Sequence, residues 1–468
     1  MIRILPHERV DILSKYKDII EEVDVLQFTG KVERVVGLTI ESNGPVVKHG
    51  ELCKIRLEGN QYLLAEVVGF NKNRIVLMPV GEMNGVIAGA DVISVGSSLM
   101  VPVGEELLGR IINGIGKPLD GKGDILTKQR YPAQGKTTNP LERTLINEPL
   151  SVGIRSIDGF ITAGKGQRMG IFSGSGVGKS VLLGMIARNT AADVNVIALI
   201  GERGREVRNF VEMELGPEAL ERSVVVVATS DEPPMLRLRG AFLAHAIAEY
   251  FRDQGNDVNL LMDSVTRFAL AQREVGLASG EPTATRGYPP SVFSILPKLL
   301  ERAGTREQGG SITGFYAILV EADDMNEPIS DAVRGILDGH IVLDRNLAHK
   351  GHYPAIDVLS SISRCMKDVV EPTHLRASNQ FREFLAAYRD AEDLINLGAY
   401  AKGSNPQVDR AIDMMDEMNS FLRQEIFEKD TYENITSRLK ALFTKDKIDI
   451  SQKEPRTPIP YFTHTTRR

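Results

Sequence analysis

The stretch GIFSGSGVGKSVLLGMIARNT, residues 170–190, constrains the fold of this chain more than any other. A short apolar run leads into a turn with three closely spaced glycines, and a second apolar run compatible with a helix follows. Glycines let successive backbone N–H groups converge on an anion, and the N-terminus of a following helix adds partial positive charge. The pattern therefore predicts a strand, a phosphate-binding loop and a helix.

The predicted nucleotide-binding residues extend from the loop into the first helical turn: Gly174, Ser175, Gly176, Val177, Gly178, Lys179, Ser180 and Val181. Lys179 would reach the terminal phosphates, and the Ser180 hydroxyl would ligate Mg²⁺. One position departs from the GxxxxGK[ST] spacing, because Ser173 stands where the first glycine is expected. A glycine-rich turn that only caps a helix is the alternative, but the flanking strand and helix favour the phosphate loop.

The composition limits the class of protein. The chain has 468 residues, of which 42% are hydrophobic, so we expect two or three domains with a large core. The net charge of −6 gives no indication of a nucleic-acid partner. Cys53 and Cys365 match no zinc or redox spacing, which fits a reducing cytosol. No apolar run reaches the roughly 20 residues of a membrane-spanning helix, so membrane association would be peripheral.

Five segments are predicted along the chain. Residues 1–24 fit an amphipathic helix, which either packs on its own domain or acts as a docking arm. Residues 25–95 carry short alternating runs punctuated by glycine, as in a small β-barrel or sandwich. Residues 96–370 form the predicted nucleotide-binding domain, of which 96–169 are the connection. Residues 371–444 show helical periodicity, and the proline-containing residues 445–468 are expected to be a flexible tail.

Strand-like and helix-like stretches alternate after the phosphate loop. A long helix is predicted through residues 238–255, and the predicted strands cover residues 194–200, 224–229, 258–263 and 314–323. Strands joined by helical crossovers lie parallel, so the sequence predicts an α/β fold with a mainly parallel sheet covered by helices. The active site is then expected at the carboxyl ends of these strands.

Two acidic positions follow predicted strands. Asp263 ends the run VNLLM, where a carboxylate could hold a metal beside the phosphate loop, although an aspartate there could also cap a helix. Asn259 is a polar exception within the same run, and the sequence does not explain it. Glu202 begins the stretch ERGRE directly after another strand, where its carboxylate could polarise an attacking water. Arg203 and Glu206 would contact phosphate and hydrated metal, and an alternating-charge surface turn is an equal alternative.

Two further candidates lie farther along the chain. Arg364, in DVLSSISRC, is basic but lies far from the phosphate loop in sequence. Tyr353, in HYPAID, could be a buried core tyrosine or a stacking surface for a nucleobase.

Long motifs across the chain resemble those of the flagellar protein-export ATPases. They include GSGVGKS, GERGREV, TSDEPPMLRLRG, MDSVTRFALAQREVGLASGEP, TRGYPPSVFSILPKLLERAG, VEADDMNEPISDAVRGILDGHIVLDRNLA and HYPAIDVLSSISR. That family belongs to the type III secretion ATPases and is related to the catalytic subunit of the rotary ATP synthase. The resemblance extends from about residue 25 to about residue 440, and it implies a RecA-like core between a β-barrel and a helical domain.

The resemblance also implies roles for individual residues. Glu202 matches the catalytic carboxylate, Arg203 and Glu206 match phosphate and metal contacts, and Asp263 matches the carboxylate after the second strand. Arg364 matches an arginine finger that reaches the site of the neighbouring subunit, and Tyr353 matches the aromatic residue that packs on adenine. ATP and Mg²⁺ are the implied ligands, and Lys179, Glu202, Arg203 and Arg364 are the implied catalytic residues.

The implied assembly is a homohexamer at the cytoplasmic face of a membrane export gate. The first helix would bind a dimeric regulator, and the helical domain would face a central coiled-coil stalk, export substrates and chaperones. The virulence secretion ATPase is the close alternative. A rotary synthase subunit, a non-catalytic nucleotide-binding subunit and an RNA translocase fit less well, because Glu202 is present and residues 26–95 show no basic and aromatic stripe.

Overall fold

The fold is described from a computed structural model, which covers residues 29–135, 137–320 and 324–444. The predicted helix at 1–24 and the predicted tail at 445–468 lie outside these residues. Within the described part of the chain, no helix has both the length and the apolar composition needed to cross a membrane.

The first domain is a closed six-stranded barrel with the strand order β1-β2-β5-β4-β3-β6. Its interior is apolar, with Ile40, Ile55 and Leu77 fully buried. Because β6 pairs with β1, the sheet closes and has no open edge. Of the two predicted alternatives, barrel and sandwich, the domain is therefore a barrel. The strands are β1 (Thr29–Val36), β2 (Thr39–Ser42), β3 (Leu52–Arg56), β4 (Tyr62–Asn71), β5 (Arg74–Pro79) and β6 (Asp91–Ser94).

The second domain is built on a nine-stranded sheet in which seven neighbouring strands are parallel. Their order is β18-β12-β17-β15-β13-β14-β8, with β19 antiparallel on β18 and β16 antiparallel on β17. The predicted mainly parallel α/β core is thereby confirmed. These strands are β8 (Arg110–Asn113), β12 (Arg168–Ser173), β13 (Val194–Ile200), β14 (Ser223–Ala228), β15 (Val258–Asp263), β16 (Gly304–Thr305), β17 (Ser311–Leu319), β18 (Gly339–Leu343) and β19 (Ile362–Ser363).

The connecting region contributes more structure than its turn signals indicate. Strand β8 joins the central sheet at its edge beside β14, although the sequence marks this region only as a connection. The signal is weak because β8 has only four residues and is followed by a dense series of turn residues. Four short strands form two further two-stranded sheets: β7 (Met100–Val103) with β9 (Gln129–Pro132), and β10 (Pro149–Leu150) with β11 (Ala163–Gly164).

Helices cover the parallel sheet, and the longest of them, α5, is buried along nearly its whole length. Arg239 of α5 pairs with Glu66 of the barrel, and both side chains are buried, so this ion pair joins the first two domains. The helices are α1 (Arg155–Phe160), α2 (Lys179–Asn189), α3 (Gly204–Asn209), α4 (Gly216–Glu221), α5 (Pro234–Asp253), α6 (Val265–Ala278), α7 (Pro290–Leu300), α8 (Pro328–Ile336), α9 (Arg345–His349) and α10 (Met366–Val369).

The third domain contains the helices α11 (Pro372–Asn396), α12 (Pro406–Leu422) and α13 (Tyr432–Thr444). It packs on α1 through aromatic side chains, since the ring of Phe160 lies 4.5 Å from that of Phe381 and 5.9 Å from that of Phe421, centroid to centroid. The predicted helical domain is therefore confirmed. The sequence periodicity continues to Ile426, but α12 ends at Leu422, and the backbone is already extended at Arg423.

Candidate active site

The phosphate loop lies between the carboxyl end of β12 and the N-terminus of α2. Gly176 and Gly178 have φ values of 78° and 101°, in the left-handed region that side-chain-bearing residues rarely adopt. Ser173 is the last residue of β12 and has extended backbone. The position where the motif departs from its usual spacing therefore makes no conformational demand for glycine.

Lys179 connects the loop to two carboxylates from other strands. Its side chain is buried, and Nζ donates a hydrogen bond to Oδ1 of Asp263. Nζ also lies 3.7 Å from Oε1 of Glu202. Because β12, β15 and β13 are parallel in one sheet, their carboxyl ends lie at the same edge, and this brings the three side chains together.

Asp263 is free to act in this cluster because another residue caps the following helix. The N-cap of α6 is Ser264, whose Oγ accepts a hydrogen bond from the backbone N–H of Arg267. The alternative in which Asp263 caps the helix therefore does not apply. Asp263 is 3% exposed, and its carboxylate faces the Lys179 ammonium.

The position of Glu202 in this cluster changes its pKa. Burial, reinforced by the negative charge of Asp263, raises the pKa of Glu202 to about 7, while the charge of Lys179 opposes the shift. Its Oε1 atom is buried and has no hydrogen-bond partner. A carboxylate with a pKa close to neutral pH is suited to accept a proton from a bound water.

Arg203 and Glu206 lie at the surface beside this cluster. They form an ion pair in which Nη1 of Arg203 lies 2.9 Å from Oε1 of Glu206, and their side chains are 64% and 41% exposed. Burial acts to raise the pKa of Glu206, but hydrogen bonds with Glu202 and Arg203 outweigh it and leave the pKa below its usual range. The ERGRE stretch thus combines one inward carboxylate with a solvent-exposed charged pair.

Arg267, which sequence reasoning did not consider, packs beside the end of the strand that precedes Glu202. Gly201, with a φ of 72°, packs so closely on α6 that an added Cβ would lie 2.7 Å from Cβ of Arg267. The Nε atom of Arg267 is buried and has no hydrogen-bond partner. The available signal was its spacing, since Arg267 follows Asp263 by one helical turn and so lies near the same edge of the sheet.

A cavity of about 680 Å³ lies beside the loop and is lined by Gly176, Val181, Leu343 and Tyr353 among others. Tyr353 is 51% exposed, which excludes the buried core alternative. The third domain also lines this cavity, through five of the six residues in the segment 423–428, which we name the base-pocket segment. Sequence reasoning missed this segment, because the helical periodicity continues through most of it, to Ile426, and it carries no glycine or proline.

Arg364 is exposed and far from the phosphate loop of its own chain. It directly follows β19, and its backbone N–H donates to the Asp338 carbonyl before the start of β18. The phosphate loop lies at the opposite ends of these strands, and the five residues of β18 separate that edge of the sheet from Asp338. At about 3.3 Å per residue, that separation is about 16 Å. Arg364 therefore lies away from the phosphate loop of its own chain.

The donor set near the loop fits Mg²⁺. Among residues 29–135, 137–320 and 324–444, no group of three or more acidic, histidine or cysteine side chains could hold a metal by itself. Mg²⁺ bound to nucleotides needs only one or two protein oxygens, because phosphates and waters supply the others. Ser180 presents an exposed hydroxyl in the first turn of α2, and the Asp263 carboxylate lies close to the loop lysine.

Three family models match consecutive parts of the chain. They are described as the β-barrel domain and the nucleotide-binding domain of the ATP synthase alpha/beta family, at residues 32–96 and 153–363, and the T3SS EscN ATPase C-terminal domain, at residues 370–441.

Full-length relatives match with high identity. The chain is 54% identical over 429 residues to a flagellum-specific ATP synthase of Bacillus subtilis, covering 91% of this chain and 97% of the relative. It is 50% identical to a type 3 secretion system ATPase of Xanthomonas euvesicatoria, covering 88% and 93%. The chain belongs to the flagellar and type III secretion ATPases. This ATPase is accordingly an ATP-hydrolysing enzyme, and the family expected from its motifs is confirmed.

Solved structures agree with the fold of this ATPase. The structure of the assembled ATPase EscN from enteropathogenic E. coli superposes with a TM-score of 0.84 at 45% identity, covering 88% of this chain and 99% of EscN. A structure of EscN in complex with its central stalk EscO gives a TM-score of 0.82 at 44% identity. The predicted order of β-barrel, nucleotide-binding core and helical domain is confirmed.

Proposed function

We propose that this protein hydrolyses ATP in the flagellar protein-export apparatus, as a homohexameric ring whose active sites are shared between neighbouring subunits. The observation that supports the proposal best is the cluster of Lys179, Glu202 and Asp263 at the carboxyl edge of the sheet, directly beside the phosphate loop. The position of Arg364 outside the site of its own chain supports a shared site.

The chemistry follows from the positions of these residues. The loop N–H groups and Lys179 bind the β- and γ-phosphates, for which Lys179 exchanges its contact with Asp263 for the nucleotide. Glu202 orients a water and accepts its proton as the water oxygen attacks the γ-phosphorus. The bond between the γ-phosphorus and the bridging oxygen breaks, and ADP and phosphate leave. Arg203 contributes positive charge at the mouth of the site.

Ser180, Asp263 and Glu206 are the residues that would hold Mg²⁺. The bound ion would neutralise charge on the phosphate oxygens. The role of this chain is to present one hydroxyl and nearby carboxylates without forming a closed protein cage.

Arg364 would complete the site from a neighbouring subunit. A guanidinium supplied in trans stabilises negative charge on the transferring phosphoryl group and makes hydrolysis depend on assembly. The related EscN has been solved as an assembled ATPase and in complex with its central stalk. We propose a corresponding ring and a coiled-coil stalk partner for this chain, peripheral to the cytoplasmic face of the membrane.

The flagellar system is the proposed setting because flagellum-specific relatives from Bacillus subtilis and Treponema pallidum are each 54% identical to this chain. The type 3 secretion relatives of Xanthomonas euvesicatoria and Sinorhizobium fredii, at 50% and 48%, support injectisome export as the second candidate. The further proposed partners are an export gate, export substrates and chaperones, and a dimeric regulator that binds residues 1–24.

Deleting the gene and complementing it tests this function. We expect the deletion to abolish flagellar filaments and motility, the wild-type chain to restore them, and the Glu202→Gln chain to restore them poorly. Purified Glu202→Gln protein should bind ATP and hydrolyse it about 100-fold to 10,000-fold more slowly than wild type. Normal motility in the deletion strain, with loss of secreted effector proteins, would assign the protein to an injectisome instead.

A further inference from the structure

The base-pocket segment, residues 423–428, joins α12 to α13 and forms one wall of the cavity next to Tyr353. It has no regular secondary structure. A free loop would lose conformational entropy when it closed on a ligand, and this loss would oppose binding. The segment can enclose a nucleoside only if contacts from outside the segment hold the segment itself in place.

Arg155, at the start of α1, supplies such contacts. Its side chain is buried, and its guanidinium binds the Glu428 carboxylate at both oxygens, with Nη2 3.0 Å from Oε2. Nη2 also donates to the Arg423 carbonyl, and Nη1 lies 3.5 Å from Oδ2 of Asp430. One guanidinium therefore ties together both ends of the base-pocket segment, which a bidentate planar group can do and a point charge cannot.

Gln424 extends these contacts to the aromatic wall of the cavity. Its Oε1 accepts from the Arg155 backbone N–H at 2.9 Å, and its Nε2 donates to the Gly153 carbonyl at 2.8 Å. Its own backbone N–H donates to the Tyr353 carbonyl at 3.0 Å. The position of Tyr353 and the position of the base-pocket segment are thus coupled through Gln424.

The helix that follows the phosphate loop also contacts the segment. Nη2 of Arg188, near the end of α2, donates to the Ile426 carbonyl at 2.6 Å. The same guanidinium lies over the Phe427 ring, with Cζ 4.8 Å from the centroid. The segment is therefore in contact with both α1 and α2, while Arg155 itself is not part of the cavity wall.

We propose that Arg155 is a positioning residue for the nucleoside end of the substrate, acting through the base-pocket segment. This inference rests on the proposed ATP hydrolysis at the same site. In this proposal, Arg155 contributes to the binding of the nucleoside, whereas Lys179 and the phosphate loop contribute to the binding of the triphosphate. Loss of the Arg155 side-chain contacts should loosen both ends of the segment and weaken only ligands that carry a nucleoside.

The test compares two ligands on the same full-length preparation, in the presence of Mg²⁺: adenylyl imidodiphosphate, which carries the nucleoside, and inorganic tripolyphosphate, which does not. In Arg155→Gln, we expect the dissociation constant of adenylyl imidodiphosphate to rise by about tenfold or more, and that of tripolyphosphate to change less than about twofold. KM for ATP should rise in parallel, with a much smaller change in kcat. Arg155→Lys should recover only part of the affinity, because it restores the charge without the bidentate geometry.

Two further variants test the same contact. Glu428→Gln removes one of the two carboxylate acceptors and the negative charge, from a more exposed residue, so it reports on the inference even if Arg155→Gln unfolds. The double variant should bind adenylyl imidodiphosphate no more weakly than the weaker-binding of the two single variants. Arg376→Gln, an exposed position on α11, is the matched control and should bind both ligands like wild type.

Two results would overturn the role of Arg155. One is equal weakening of the binding of both ligands, and the other is unchanged binding of adenylyl imidodiphosphate by folded Arg155→Gln and Glu428→Gln. Failure of the wild-type protein to bind either ligand would instead contradict the proposed function.

Discussion

The Nζ atom of Lys179 lies 3.7 Å from Oε1 of Glu202 and is hydrogen-bonded to the carboxylate of Asp263. One ammonium therefore faces two carboxylates at the position where nucleotide phosphates would arrive. We expect a bound triphosphate to draw Lys179 away from Asp263, so that the substrate-free site and the substrate-bound site differ in which anion neutralises the lysine.

Lys179→Met should reduce kcat/KM for ATP by about 100-fold to 1,000-fold, because the β- and γ-phosphates lose their cation. It should also lower stability, because the buried Asp263 carboxylate loses its partner. The measurements are steady-state hydrolysis and urea unfolding.

The double variant Lys179→Met, Asp263→Asn separates these two effects. We expect it to regain much of the stability lost in the single variant, since the buried charge is gone, while hydrolysis stays low. Wild-type hydrolysis in the single variant would show that Lys179 does not bind the phosphates.

Hydrolysis should depend on pH through Glu202. Only the carboxylate form accepts a proton from water, and the pKa of Glu202 in the free enzyme is raised to about 7. The kcat/KM for ATP should therefore rise from pH 6 to pH 8 and level off above that range, since kcat/KM reports the free enzyme. A profile that is flat between pH 6 and pH 8, at constant ionic strength, would contradict this role for Glu202.

Mixing two inactive variants should restore activity if Arg364 acts in trans. A Glu202→Gln chain keeps its finger, and an Arg364→Ala chain keeps its carboxylate, so some interfaces in a mixed ring carry both groups. With equal amounts and random assembly, about a quarter of the interfaces are intact and about a quarter of wild-type activity is expected. The absence of recovery in rings shown by mass to be mixed would contradict a shared site.

A polar pair inside the sheet explains the asparagine that the sequence leaves unexplained. Nδ2 of Asn259 donates to Oδ1 of Asn195 at 2.8 Å, and Asn195 donates to the Ala187 carbonyl at 3.0 Å, all within the core. Asn195→Ala should lower the free energy of unfolding by about 1–3 kcal/mol, because it leaves buried polar groups unpaired. Urea unfolding measures this loss.

The same variant should leave kcat near its wild-type value, because Asn195 and Asn259 lie near the starting ends of β13 and β15 and the active site lies at the other ends. A loss of hydrolysis as large as that of Lys179→Met in a folded Asn195→Ala protein would show that the pair serves the site.

Local sequence patterns predict those parts of the structure whose conformation is set by residues close together in the chain. The run before Gly174 and the residues after it specify a strand, a loop and a helix, because the φ values of Gly176 and Gly178 and the start of α2 are set within a few residues. The strands at 194–200 and 258–263 were predicted with their observed bounds, because buried parallel strands are continuous apolar runs between polar turns.

Contacts between distant residues were decided only by the tertiary structure. Lys179 and Asp263 are 84 residues apart and meet because the sheet order places their strand ends at one edge. The resemblance to known ATPases named both residues, but it gave neither their contact nor the raised pKa of Glu202, which results from burial. Arg155 and the base-pocket segment are more than 260 residues apart, and no periodicity encodes their pairing. Sequence by itself determined the phosphate loop and the alternation of strands and helices, whereas packing of the three domains decided which side chains share the site, because burial and charge contacts depend on residues that only the folded chain brings together.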